Sequence, residues 1–160
     1  MWRWMRSCSG WRVVRLTSFF AEGVPRPQGS KRAVGGGRFI EASKYLPEWR
    51  KSVVGAAREA HEGEPIQGAV TVTAEFVFPR PKALKPHQEA PPHTSAPDTD
   101  KLQRAVGDAL TIAGVIEDDA QIHTWRAHKR RARHGETSGA HITVTPAQSG
   151  DFLYPNKENN

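Results

Sequence analysis

The chain has 160 residues, a formal charge of +6 and an isoelectric point near 9.8; the length suits one domain around one core, and the charge favours phosphate-rich partners. Its single cysteine, Cys8, excludes an intramolecular disulfide and a cysteine-rich zinc site. No apolar run approaches the roughly 18 residues needed to span a bilayer, so the expected setting is reducing, intracellular and away from the membrane.

Residues 1–21 hold arginine, serine and tryptophan but no acid. That is the composition of an organellar transit peptide or, the preferred reading, of a disordered basic extension covering 1–16. A first strand is expected over Val13 to Ala21, stopped by Gly23, Pro25 and Pro27. The segment Pro25 to Phe39 carries Arg26, Lys31, Arg32 and Arg38 among glycines, as a mobile loop against a phosphate backbone would. Its glycine and lysine order does not match a Walker loop. A short strand at Arg38 to Glu41 precedes a helix capped by Ser43 and running to His61, with Tyr45, Trp49, Val53, Ala56 and Ala57 as its buried face.

The alternation from Ala69 to Phe78 predicts a strand central to a sheet. Pro79 to Pro97 is proline-rich and predicts a long exposed loop, with Lys82, Lys85, His87 and His93 able to approach nucleic acid. The next helix takes Asp100 as N-cap, with Gln103 completing a capping box and Gly114 as the stop. Its apolar stripe is Leu102, Ala105, Val106, Ala109, Leu110 and Ala113, and Arg104 is spaced to pair with Asp108. Gln121 to Arg133 reads as a strand ending in Lys129, Arg130, Arg131 and Arg133; His141 to Thr145 reads as a last strand, and residues 146–160 form a polar tail. Trp2, Trp4 and Trp11 are placed to stack on bases only if ordered, whereas Trp49 and Trp125 read as core. The seven histidines lack metal-ligand spacing.

The most informative stretch is PDTDKLQRAVGDALTIAGVIEDDAQI, from Pro97 to Ile122. Asp98 and Asp100 open the helix, and Asp118 and Asp119 follow its end. Carboxylates gathered in a fold repel, and a hard cation is the natural compensation. The two pairs stand about 20 Å apart along the helix at 1.5 Å per residue, so they meet only if Val115 to Ile122 folds back, or if another chain supplies a partner. In the plainer account the four acids are helix caps and turn residues.

This stretch closely resembles the signature of the RusA family of Holliday-junction resolvases, Asp-x-Asp-Asn-Leu-x-Lys, a short spacer, Asp-Ala-Leu, a Gly-bounded turn and Asp-Asp-Ala-Gln. Weaker resemblance covers Thr17 to Thr145, giving a RusA-like endonuclease domain over 17–145. The resemblance implies a small α+β fold, a mixed β-sheet packed with two main helices, acting as a homodimer that cuts four-way DNA junctions by paired nicks in recombination and repair. It also implies Mg²⁺, with Mn²⁺ as a substitute, held by Asp98, Asp100 and Asp119 with Asp118 beside them, and a cytoplasmic, nucleoid-associated protein of bacterial or phage origin. Two positions depart from the signature: Lys101 stands for its Asn, and Arg104 for its functional Lys. An arginine stays protonated, so Arg104 is expected to act electrostatically rather than as a base. DNA contacts are expected from Arg26, Lys31, Arg32, Arg38, Lys101, Lys129, Arg130 and Arg131. The competing functions are a non-catalytic, architectural DNA-binding protein and a nuclease for other branched DNA.

Overall fold

Nine residues of alternating apolar character make the strand Val70–Phe78, whose Val70, Val72, Ala74, Phe76 and Phe78 all turn into the core. In the computed structural model, which describes residues 2–7, 10–29, 31–33, 39–41 and 44–147, this strand is interior to the main sheet, as its pattern predicts. In chain order the strands are β1 (Trp2–Ser7), β2 (Gly10–Arg15), β3 (Thr17–Glu22), β4 (Lys31–Ala33), β5 (Phe39–Glu41), β6 (Val70–Phe78), β7 (Ile122–Arg131) and β8 (Gly139–Pro146). The helices are α1 (Leu46–Ala60) and α2 (Thr99–Ala113). The main sheet has four strands in the order β3-β8-β6-β7. β6 runs antiparallel to β8 and parallel to β7, and a parallel pair needs a long crossover, which the 79–97 segment and α2 supply. The fold is α+β, a mixed sheet with two helices.

The core is one cluster joining Leu46, Trp49, Val53 and Ala57 of α1, Leu102, Ala105, Val106, Ala109 and Leu110 of α2, and the inward residues of β6 and β8. Thr17 Oγ1 lies 2.8 Å from His61 Nδ1, tying the start of β3 to the end of α1. β8 passes β3 at Gly139 with no room for a side chain: a Cβ there would collide with the Ala21 carbonyl and the Phe20 ring.

Several boundaries differ from expectation. The anticipated strand from Val13 splits at Leu16 into β2 and β3. Where an unstructured extension was expected, β1 and β2 pair antiparallel, and within the anticipated mobile loop β4 pairs with β5. Ser43, the expected cap of α1, lies outside the described residues. α1 begins at Leu46 because Pro47 sits in its first turn, where its missing N–H is no loss. Tyr45 is the N-cap and is 45% exposed, so Leu46 takes the buried place assigned to Tyr45. α2 starts at Thr99, with Asp98 as N-cap in an extended conformation rather than Asp100; Leu102 N donates to Asp98 O. Gly114 ends α2 as predicted, at φ 79°, the left-handed conformation that glycine adopts without penalty.

Candidate active site

Asp100, Gln103, Arg104 and Gly107 recur at i, i+3, i+4 and i+7 along α2 and so share one helix face. After Gly114 the chain turns back: Ile66 N donates to Val115 O at 2.8 Å, and Ile66 bridges Ile116. A 3-10 turn, Asp119–Gln121, follows, and its clamps are specific. Asp118 Oδ1 accepts from Ala120 N at 2.7 Å; Gln121 Oε1 accepts from Glu117 N at 2.7 Å and Asp118 N at 3.1 Å. Gln121 Nε2 donates to Ile66 O at 3.0 Å and Gly68 O at 2.8 Å. The capping box expected at Asp100 and Gln103 is therefore found at Asp118 and Gln121.

The clamped turn packs against α2 at Gly107. A Cβ on Gly107 would lie 3.6 Å from Asp119 Cβ, 3.4 Å from Ile122 Cδ1 and 3.8 Å from Trp125 Cζ2. A larger side chain would push the turn away. The result is a cleft of about 220 Å³ lined by Asp100, Gln103, Arg104, Gly107, Asp119, Ile122 and Trp125. The chain does fold back beside the helix, and Asp119 reaches its middle instead of lying 20 Å from Asp100.

Asp100, Asp119 and Arg104 thus share one cleft. Asp98 and Asp118 are placed differently. The Asp98 carboxylate pairs with Lys101 Nζ at 3.0 Å, an exposed contact, and Asp118 spends an oxygen on its cap. Arg104 does not pair with Asp108. Asp108 instead accepts a hydrogen bond from Gln28 Nε2 and lies 3.9 Å from Arg50, whose Nη2 also donates to Gln28 Oε1 at 2.6 Å. With Gln28 N donating to Lys101 O at 3.0 Å, Gln28 fixes the entry of the basic segment onto α2. Gly29 then passes so close to Arg104 that a Cβ there would sit 2.9 Å from its Nη1. Gln28 and Gly107 escaped the sequence reading, which gave Gln103 to a capping box and Trp125 to the core rather than to the cleft. The spacing of Gln103 and Gly107 from Asp100 was the available signal; for Gln28 there was none.

Of the expected DNA-contacting cations, Arg26 lies over the Tyr45 ring at 4.9 Å. Lys31 and Arg32 belong to β4, and Arg38 lies outside the described residues. Lys129 is not a free cation: its ammonium donates to Ser95 O at 2.6 Å and Pro97 O at 2.8 Å, bracing the proline-rich segment next to Asp98. Arg130 is likewise occupied, by Glu136 at 2.7 Å and Glu75 at 2.9 Å. Hydrogen bonding to Arg130 first, against a smaller cost of burial, lowers Glu136 to about 2 and moves Glu75 down as well, while the two carboxylates raise Arg130. Arg131 makes no ion pair among the described residues. His93 is buried against Phe78, ring centroids 4.2 Å apart, rather than presented to a partner.

Asp100 and Asp119 offer oxygen donors to one space, the chemistry of a hard divalent cation rather than zinc. Among the described residues, no three His, Cys, Asp or Glu side chains are already gathered as a metal cage. Asp98 stands outside the cleft lining, held by an exposed ion pair of the kind worth about 0–1 kcal/mol. Among the described residues no helix is long and apolar enough to cross a membrane. No individual curated protein matches the chain significantly. The profile of the family described as Endodeoxyribonuclease RusA matches residues 22–145, spanning the sheet from the end of β3, both helices and the whole acidic cleft. On that match the chain belongs to the RusA family of Holliday-junction endodeoxyribonucleases.

Proposed function

We propose that this chain is a divalent-metal-dependent, structure-selective endonuclease that resolves four-way DNA junctions by paired, symmetric nicks in recombination and repair. The observation that carries this reading is the convergence of Asp100, Asp119 and Arg104, from two separate elements, in one cleft. Asp100 and Asp119, joined by Asp98 once it leaves Lys101, would hold one or two Mg²⁺ ions, with Mn²⁺ as a substitute; Asp118 stays a neighbour because its carboxylate caps the turn. Bound by these carboxylates, a divalent ion would supply charge to offset that of the scissile phosphate and would acidify an attacking water.

The chain's own groups do the rest. Arg104, charged at any working pH, offers its guanidinium to a phosphate oxygen and to the negative charge that develops on it. Ile122 and Trp125 wall one side of the cleft with apolar surface, which strengthens the electrostatic contacts within it. Gln28 holds the entry of the basic segment, just after Arg26, onto α2 beside the cleft, and Arg26, Lys31, Arg32 and Arg38 would supply its contacts to the DNA. The nicks would carry 5′-phosphates. A junction has two-fold symmetry and two strands to cut, so a C2 homodimer supplies one cleft per strand; a cytoplasmic setting follows from the substrate.

The test is a labelled synthetic four-way junction incubated with the purified chain in Mg²⁺, in EDTA, and with Asp100→Asn, beside a linear duplex. Symmetric nicks that need Mg²⁺ and vanish in the variant are expected, with junction binding kept or tightened because a negative charge is gone. Binding without cleavage in Mg²⁺ and Mn²⁺ would overturn the nuclease and leave an architectural DNA-binding protein; preferred cutting of flaps would leave a nuclease for other branched DNA.

A further inference from the structure

β7 continues well past the cleft. Trp125, Ala127, Lys129 and Arg131 alternate onto one face of the strand, where Trp125 and Ala127 pack on the core beside α2. His128 and Arg130 turn to the other face, where both meet Glu75. Beyond Trp125 the proline-rich segment folds along this first face and leaves a groove of about 930 Å³. Its lining includes Arg80, Lys129, Arg130, Arg131 and Arg133, with Glu89 as the one carboxylate among the lining residues.

The cations here divide into two sets. Arg80 Nη2 donates to Lys85 O at 2.8 Å and Gln88 O at 2.5 Å, folding the proline-rich segment, while Lys129 and Arg130 are engaged as described above. Those contacts build the walls. Arg131 and Arg133 form no ion pair among the described residues, and the buried Nε atoms of Arg80 and Arg131 have no hydrogen-bond partner. Beneath them, His93 is held below its usual range, first by burial and then by the Arg131 and Lys129 charges. A fold that braces a cationic groove and leaves two guanidinium groups unpaired is suited to a polyanion.

The groove also adjoins the helix that carries the cleft. Lys129 holds the carbonyl of Pro97, the residue before Asp98, so the inner end of the groove abuts the start of α2. From Trp125 to Arg131 the strand covers about 20 Å at ~3.3 Å per residue, the length of about six base pairs at 3.4 Å each.

We propose that this groove is a second nucleic-acid site, which takes the phosphate backbone of a DNA arm about six base pairs from the phosphate being cut, with Arg131 and Arg133 as the phosphate contacts and the 79–97 segment as the outer wall. It deepens the junction-nuclease reading and takes from it only the identity of the polyanion. The experiment uses the full chain silenced by Asp100→Asn, with a labelled four-way junction in EDTA and binding followed across salt concentrations. Adding Arg131→Ala and Arg133→Ala should make the slope of log K against log salt shallower by about 1.8, two phosphates at ~0.9 each; Arg133→Ala alone, at an exposed position, should give about half of that. Neutral methylphosphonates placed about six base pairs from the cut should weaken binding of the parent and leave that of the double variant unchanged. Coincident slopes, or equal sensitivity of both proteins to the neutral linkages, would overturn the proposal. Cleavage by the unsubstituted chain in Mg²⁺ is read separately: cutting with coincident slopes removes the groove and keeps the nuclease, and no cutting with separated slopes does the reverse.

Discussion

Adjacent residues with the same side chain have different work at Asp118 and Asp119. Asp118 caps the 3-10 turn through Ala120 N, a role that asparagine performs about as well, whereas Asp119 faces the cleft. Asp118→Asn is therefore expected to keep most of the cleavage rate, while Asp119→Asn loses roughly 10²-fold or more, the scale of removing one electrostatic contact to the reacting centre. Rates on a labelled junction under single-turnover conditions check both, and equal losses would show that the cap matters as much as the cleft. Arg104 separates charge from basicity in the same way. Arg104→Lys should retain substantial activity and Arg104→Ala should lose roughly 10²–10³-fold, with the pH profile of the remaining rate the same shape in wild type and variants; a limb that disappears with Arg104 would betray a titrating base. The sequence identified these residues as a set, because their types and order are local facts. It could not tell a capping aspartate from an open one, since that depends on where Ala120 N and Gln121 come to lie.

Among the elements, the contact between α2 and the acidic turn decides whether a site exists. Gly107 is buried on α2 and meets Asp119, Ile122 and Trp125. An alanine would find ordinary van der Waals contact and gain up to about 0.8–1 kcal/mol in helix propensity. A valine needs room that only displacement of the turn can give. Gly107→Val is expected to leave the far-ultraviolet circular dichroism spectrum native and to lower cleavage much further than Gly107→Ala; equal rates for the two would show that the turn need not sit so close. The periodicity of α2 was legible, stripe and stop alike, because helix packing repeats at a fixed interval and Gly114 carries a conformational signature. Its first residue was misplaced by the competing claims of two aspartates near one helix start. The Arg104 to Asp108 spacing fitted an ion pair, yet Asp108 went to Gln28 and Arg50, partners distant in the chain.

Stability of the whole molecule carries one pH dependence that can be stated with its sign. Glu136 has its folded pKa lowered to about 2 from an ordinary 4.5, chiefly by its hydrogen bonds to Arg130. A depressed carboxylate contributes stability that is fully present above its unfolded pKa and is lost as pH falls through the folded one. The wild-type urea midpoint should therefore drop between about pH 4.5 and pH 2, and Glu136→Gln should flatten that part of the profile while lowering the midpoint at neutral pH. An unchanged acid limb in the variant would place the acid sensitivity elsewhere, with Glu75, lowered by the same arginine, as the next position to change.

The resemblance to the RusA family implied the α+β class, and the sequence by itself determined the central strand, the apolar stripe and stop of α2 and the four aspartates worth attention. Those are properties of local periodicity, turn chemistry and residue order. Only the tertiary structure decided which of the acids share a space. The return of the chain after Gly114, fixed by Ile66 and Gln121, shortens an interval that runs the length of a helix along the chain and brings Asp119 into the cleft that Asp100 also lines. It also decided the fate of the basic run at the end of β7. Alternation sends Arg130 to Glu75 and Glu136 on one face and turns Arg131 toward the groove on the other, and a charge in a sequence does not reveal which carboxylate the fold will bring to it.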